Sequence, residues 1–442
     1  MNKRRVVIMG AAGRDFHNFN TCFRDNPAFE VRAFTATQIP FTAGRTYPAS
    51  IAGRLYPDGI PILDEALLPD LLKNETVDEV IFAYSDISYR EVMRKGAAVL
   101  AAGADFRLIG PHATMLKSQK PVISVCAVRT GCGKSGLSRL ICTILIKEGL
   151  KPVVVRHPMP YGELEAQAVQ RFQTMDDLKR HRCTIEEREE YEPHIQRGVV
   201  VFAGVDYQRV LEAAEEEGDV IIWDGGNNDF PFLRPDLECT LLDPTRPGDE
   251  TSYFPGEVNL LRADVLVINK SNLVPEEALT RFRETVRRSN PAARLIGMVS
   301  NASVDEPELV AGKRVLVVED GPSITHGGLP GGAALNCAQA LGARVIDPRP
   351  FAVGSLAKVY ENYPHLGPVL PALGYSEGQL AELAQTVARV PSDLVLSATP
   401  ADLASLIPSS KPILQVRYEM SGGEELVPIV VGVVKRKGLR RK

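Results

Sequence analysis

The run VRTGCGKS, residues 128–135, constrains this chain more than any other feature, because it stands between a continuous apolar segment and an amphipathic one. Residues 121–128 read as a buried strand, and SGLSRLICTILIKEG has the spacing of a helix. A glycine-rich turn in that setting is a phosphate-binding loop, whose N–H groups curl around a phosphate while the positive end of the helix faces it. Gly131 and Gly133 permit the curl, with Arg129, Thr130 and Cys132 completing the loop. Lys134 is then placed for the β and γ phosphates of a nucleotide, and the Ser135 hydroxyl for Mg2+. Val128 replaces the first glycine of the usual motif and leaves a T-G-x-G-K-S core.

The rest of the chain alternates in the same way. Apolar segments at 6–10, 29–36, 78–84 and 106–110, and later at 151–157, 198–204, 219–226, 239–243, 264–270, 294–300, 313–321, 343–348 and 393–399, are separated by room for helices. This predicts an α/β fold with parallel sheets, and 442 residues predict two or three domains at roughly 150 residues each. The acidic stretches 186–192 and 212–218 read as solvated helix faces, and the basic run 435–442 as a solvated tail.

No apolar run approaches the 18 or so residues of a membrane-spanning helix, and the one after Lys3, Arg4 and Arg5 reads as a first strand rather than a signal peptide. Seven scattered cysteines without a CxxC pair predict a cytoplasmic setting and no thiolate zinc site. A net charge of −4 offers no global attraction to nucleic acid or to a membrane.

Other residues gather at strand ends. VIIWDGGNND (220–229) ends a strand in Asp224, suited to hold a metal through water, with Gly225 and Gly226 free to approach a γ-phosphate. In VINKSN (267–272), Asn269 and Lys270 are candidates for base contact. Asn272 takes the place of the acid in Asn-Lys-x-Asp, which leaves guanine and adenine both open. Arg156, His157 and Arg246 lie where open α/β sheets bind ligands, and are candidates for holding an acidic substrate or stabilising phosphoryl transfer. The glycine-rich segment 317–334 offers His326, and GAAGRDFHNFN (10–20) offers Arg14, Asp15, His17 and Asn18 for anion or substrate contact.

Together, GRDFHNFN, TGCGKSGLSR, VVRHPMPYG, WDGGNNDFPF, DPTRPGDE with YFPGEVN, and INKSN resemble the cyclic 2,3-diphosphoglycerate synthetase family and its bacterial relatives. The resemblance implies a Rossmann-like N-terminal parallel-sheet domain (1–118) and a P-loop NTPase α/β core (119–305). A C-terminal α/β extension of that core (306–420) and a basic tail (421–442) follow. It also implies a ligase that uses ATP or GTP and Mg2+ to close an intramolecular phosphoanhydride in a small acidic phosphorylated substrate. Lys134, Asp224, Arg156 and His157 would then be catalytic, Ser135 and Asp224 would hold the metal, and Arg14, Asp15, His17, Arg246 and His326 would bind substrate. The competing readings are a P-loop switch or chaperone-like protein acting on a protein partner, and a phosphotransferase acting on another acidic metabolite. A homodimer or homotetramer is expected by analogy with other large parallel-sheet proteins.

Overall fold

In the computed structural model, which describes residues 3–37, 43–74, 76–325, 327–373 and 376–438, strand β1 (Arg4–Met9) is apolar on both sides because both faces are covered. Val6 and Ile8 pack with Phe16, Phe19 and Phe34, whereas Val7 and Met9 pack with Val80, Phe82, Val92 and Val99. With β1 stand β2 (Phe29–Ala36), β3 (Thr46–Tyr47), β4 (Ile60–Asp64), β5 (Glu79–Phe82) and, after the separate β6 (Ile87–Ser88), β7 (Asp105–Leu108). They form a sheet of order β3-β4-β2-β1-β5-β7, parallel except at the β3–β4 edge. The chain order reverses between β1 and β5, so a crevice is expected beyond their carboxyl ends.

The second sheet comprises β8 (Val122–Ala127), β9 (Pro152–Arg156), β10 (Gln170–Phe172), β11 (Val200–Ala203), β12 (Val220–Asp224) and β13 (Leu237–Leu242), then β15 (Val265–Ile268) and β16 (Arg294–Gly297). Its order is β10-β11-β9-β12-β8-β13-β15-β16, with only β10 antiparallel. β8 therefore delivers its glycine-rich turn between the ends of β12 and β13. The short β14 (Tyr253–Phe254) pairs antiparallel with β6 and ties the two sheets' loops together.

A third sheet takes β17 (Val299–Val304), β18 (Arg314–Asp320), β19 (Arg344–Val345), β20 (Leu370–Ala372), β21 (Leu394–Ser397) and β22 (Ile413–Ser421). The C-terminal α/β segment builds a sheet of its own, and β17, which precedes the expected boundary at 305/306, belongs to it through β22.

Two further expectations change. The expected basic tail 421–442 begins with a packed helix: Leu426–Arg436 buries Leu426, Val430, Val433 and Val434 in the core beneath helix Lys134–Lys147, whereas Lys435 to Gly438 are exposed. The stretch 186–192 is not a solvated face, because Glu186, Glu187, Glu189 and Glu192 are buried. Helix Ile185–Ile195 lies between two sheets, with Ile185 in the core of the third and Tyr191 and Ile195 in that of the second. No helix among the described residues is long and apolar enough to cross a membrane.

Candidate functional site

All six residues of β8 are buried, and the turn after it runs into helix Lys134–Lys147 with Gly131 at φ +85° and Gly133 at φ +103°. Glycine is required at 133 on a second count, since a Cβ there would stand 2.5 Å from Asn269 Nδ2. The loop's carbonyls are held from outside. Asn269 Nδ2 donates to the Cys132 carbonyl (2.9 Å), Lys270 Nζ to that of Gly131 (2.8 Å), and Arg246 Nη2 to that of Thr130 (2.9 Å). Asp243, at the end of β13, anchors both cations at 2.6 Å (Lys270) and 3.2 Å (Arg246). Burial works against its carboxylate, yet the charges of Lys270 and Arg246 hold it below the ordinary range. A loop whose carbonyls are tied outward keeps its N–H groups for an anion. Asn269 and Lys270, read from sequence as base contacts, and Arg246, read as a substrate contact, thus serve here as braces of the P-loop.

On the inner side, Lys134 Nζ donates to Asn228 Oδ1 (3.2 Å), and Asn228 Nδ2 to Thr130 Oγ1 (3.1 Å). Asp224 ends β12 fully buried, with Oδ2 at 2.6 Å from Arg156 Nη1 and 3.4 Å from His194 Nε2, while Oδ1 has no hydrogen-bond partner. Burial alone would raise this carboxyl, but the charge of Arg156 and the His194 hydrogen bond hold it well below the usual carboxylate range. Burial pulls the His194 imidazole down. Arg156 Nε also donates to Glu190 (3.0 Å), so its charge is taken up by two carboxylates.

Among the described residues no three His, Cys, Asp or Glu side chains gather to hold a metal. A hydroxyl, one carboxylate and the phosphates of a nucleotide suffice for Mg2+, and the free Oδ1 of Asp224 with Ser135 in the first helical turn fits that set.

Beside the loop, a narrow cleft opens at the carboxyl ends of β1, β2 and β5, where the chain order predicts one. Gly10 to Asp15, Ala36, Thr37 and Ala83 to Ser85 line it from the first sheet, and His157 and Asp229 from the second. His157 is pressed between glycines: a Cβ on Gly13 would sit 1.9 Å from its Nε2, and one on Gly226 2.5 Å from its Cβ. Its Nε2 lies 3.4 Å from Asp229 Oδ2. Arg14 is buried between the Phe230 and Phe254 rings, each 4.9 Å away, with Nε at 3.1 Å from Asp229 Oδ1. It also donates to the Ala83 and Tyr84 carbonyls, and Nη1 has no hydrogen-bond partner. Asp15 accepts from the N–H groups of Ala12 (2.6 Å) and Phe16 (2.7 Å), and burial pushes its carboxyl up to about 6.

Of the residues expected at the substrate, Arg14, Asp15 and His157 line this cleft, but His17 does not. It stacks on Phe232 at 4.4 Å and donates Nε2–H to the Thr114 carbonyl, a packing role in which burial pulls its imidazole down to about 4. Position 326 lies outside the described residues. The reading of the sequence missed Asn228 and Asp229, although both stand in the quoted VIIWDGGNND, and missed Asp86, Glu190, His194 and Asp243. Glu190 carried no signal, because the run around it has the look of a charged surface, and His194 follows just after that run.

No protein-family model matches the chain. It is 54% identical over 419 residues, 95% of this chain and 94% of the other, to the arginine synthetase ArcE of Thermococcus kodakarensis. It is 21% and 23% identical to the cyclic 2,3-diphosphoglycerate synthetases of Thermococcus sibiricus and Pyrococcus furiosus, spanning about half the length of each (54% and 52%). Among solved structures, LpxK of Aquifex aeolicus aligns with a TM-score of 0.42 at 15% identity, over 73% of this chain and 90% of LpxK. The chain belongs to the synthetase family that contains arginine synthetase ArcE, to which the cyclic 2,3-diphosphoglycerate synthetases are more distantly related.

Proposed function

We propose that this chain is a Mg2+-dependent P-loop ligase that uses ATP or GTP to complete the guanidinium group of arginine, the product in the name of its 54%-identical relative. The observation that carries this reading is the charge balance of the cleft beside the P-loop. A diphosphoglycerate bears two phosphates and a carboxylate, and burying it calls for a surplus of cations. Here Arg14 and His157 face Asp15 and Asp229, while Arg156 and Arg246 are turned to Glu190, Asp224 and Asp243. A balanced lining suits a zwitterionic amino acid, with its carboxylate on Arg14 Nη1 and its ammonium toward Asp229.

In this reading the γ-phosphoryl group passes to the oxygen of a ureido carbon. A nitrogen nucleophile then forms the new C–N bond, the C–O bond breaks, and phosphate leaves with that oxygen. Lys134 neutralises the transferring group, and Asn228 fixes Lys134 and Thr130 relative to each other. Ser135 and, through water, Asp224 would hold Mg2+, whose charge would neutralise the phosphates. His157, paired with Asp229, would orient the nucleophile in the cleft.

The test supplies the protein with Mg2+, ATP or GTP, a ureido amino acid and ammonium, and follows arginine, nucleoside diphosphate and phosphate. Equal amounts of all three are expected, with the better nucleotide identified by direct comparison. No arginine forward, together with no triphosphate from arginine, nucleoside diphosphate and phosphate in reverse, removes the reading. A phosphorus NMR arm with 2,3-diphosphoglycerate decides for a phosphoanhydride-forming ligase if new anhydride resonances appear there instead.

A further inference from the structure

The segment that lines the cleft as Ala83, Tyr84 and Ser85 continues directly into Asp86, and Asp86 reaches the P-loop. Its Oδ2 accepts the Thr130 N–H at 3.2 Å, and its Oδ1 lies 2.8 Å from Arg129 Nε. Arg129 is itself held over the Tyr253 ring at 3.6 Å and within 3.3 Å of Asp249. Thr130 stands on the γ-phosphate side of the loop, since one asparagine, Asn228, bridges its hydroxyl to Lys134 Nζ.

The backbone is under strain at the same place. Four non-glycine residues among those described have positive φ: Asp86 (+55°), Arg182 (+53°), Asn228 (+57°) and Lys270 (+55°). Three of the four, all but Arg182, touch the P-loop with their side chains. Strain of this kind persists where the surroundings over-determine a conformation, and it collects at sites that must hold or change a geometry.

We propose that Asp86 is a positioning residue that competes with the nucleotide's γ-phosphate for the Thr130 N–H, and so links filling of the P-loop to the wall of the cleft. The inference rests on nucleotide binding at the P-loop and is independent of which amino acid the cleft takes. A phosphate oxygen on Thr130 N–H displaces a carboxylate of like charge, and Asp86 withdraws with Arg129. Ser85 and Tyr84 precede it without a break, and Arg14 pins the Ala83 and Tyr84 carbonyls, so the cleft wall is re-set as the γ-phosphate arrives. A diphosphate lacks the γ group and leaves Asp86 where it is.

Titration calorimetry of the full-length protein with Mg2+ and either ADP or the β,γ-imido analogue of ATP tests this on wild type, D86N, D86A and K134A. Removing the competing charge should tighten the triphosphate analogue by about five- to tenfold in D86A, and less in D86N, while ADP changes by less than about twofold. Equal changes for the two nucleotides in both Asp86 variants, or a weaker triphosphate, would overturn the proposal. D86N retains an oxygen acceptor for Thr130 N–H and so covers the case in which D86A does not fold. Wild type that binds neither nucleotide, or K134A that binds both as wild type does, would remove the P-loop reading and the proposal with it. Neither result bears on whether arginine is the product.

Discussion

His17 is a residue whose chemistry is set by what surrounds it. Sequence alone offers an imidazole near a glycine-rich turn, whereas the fold stacks it on Phe232 and removes it from water. Burial lowers its pKa to about 4, below the roughly 6.5 of an unfolded chain, so the folded state keeps it neutral while the unfolded state takes up a proton. The stability it contributes is complete above about pH 6.5 and is lost as pH falls toward 4, by up to roughly 3 kcal/mol. H17F should therefore lose less melting temperature than wild type between about pH 7.5 and about pH 5, and identical slopes would contradict the account. Asp224 differs in kind: burial is outweighed there by Arg156 and His194, and the carboxylate persists across the physiological range.

At the scale of elements, the same letters meant different things in different places. The alternation of apolar segments was legible because a parallel sheet covered on both faces needs continuous apolar strands, and β1, β8 and β12 are of that sort. Strands such as β22, half-exposed along Ile413–Ser421, carry no such signal. The helix Ile185–Ile195 was illegible for the opposite reason. A run of glutamates reads as surface until a third sheet is laid against it, and Glu189 then finds the Thr399 hydroxyl. The C-terminal helix is the other case, because its basic end draws attention from its buried valines. V433D should destabilise the protein by about 3 kcal/mol or more in a denaturant titration, whereas K435Q should change the midpoint by under about 0.5 kcal/mol.

At the scale of the whole molecule, two sheets bring their carboxyl ends together, and the Asp229 carboxylate is one of the groups that join them. Asp229 follows β12 of the second sheet and takes Arg14, which follows β1 of the first, with His157 beside it. D229A leaves a buried guanidinium without its counter-charge, which should cost about 3–5 kcal/mol in stability, while D229N should cost less because it keeps an acceptor. A denaturation midpoint for D229A within about 0.5 kcal/mol of wild type would mean that the pair does not hold the sheets together.

From sequence alone came what depends on local order: the P-loop between strand and helix, the α/β class, Asp224 at a strand end, and a polar turn after the first strand. These follow from spacing of one or two turns of chain, where backbone geometry and apolar periodicity act directly. Only the tertiary structure decided which charges meet. It turned Arg156 and Arg246 away from the cleft toward carboxylates, put Asn269 and Lys270 on the P-loop's carbonyls, and gave the cleft its balance of charge. It also set Asp86 beside Thr130, 44 residues along the chain. Ion pairing and desolvation are properties of neighbours in space, and in this chain Arg14 and Asp229, like Asp86 and Thr130, come from different sheets.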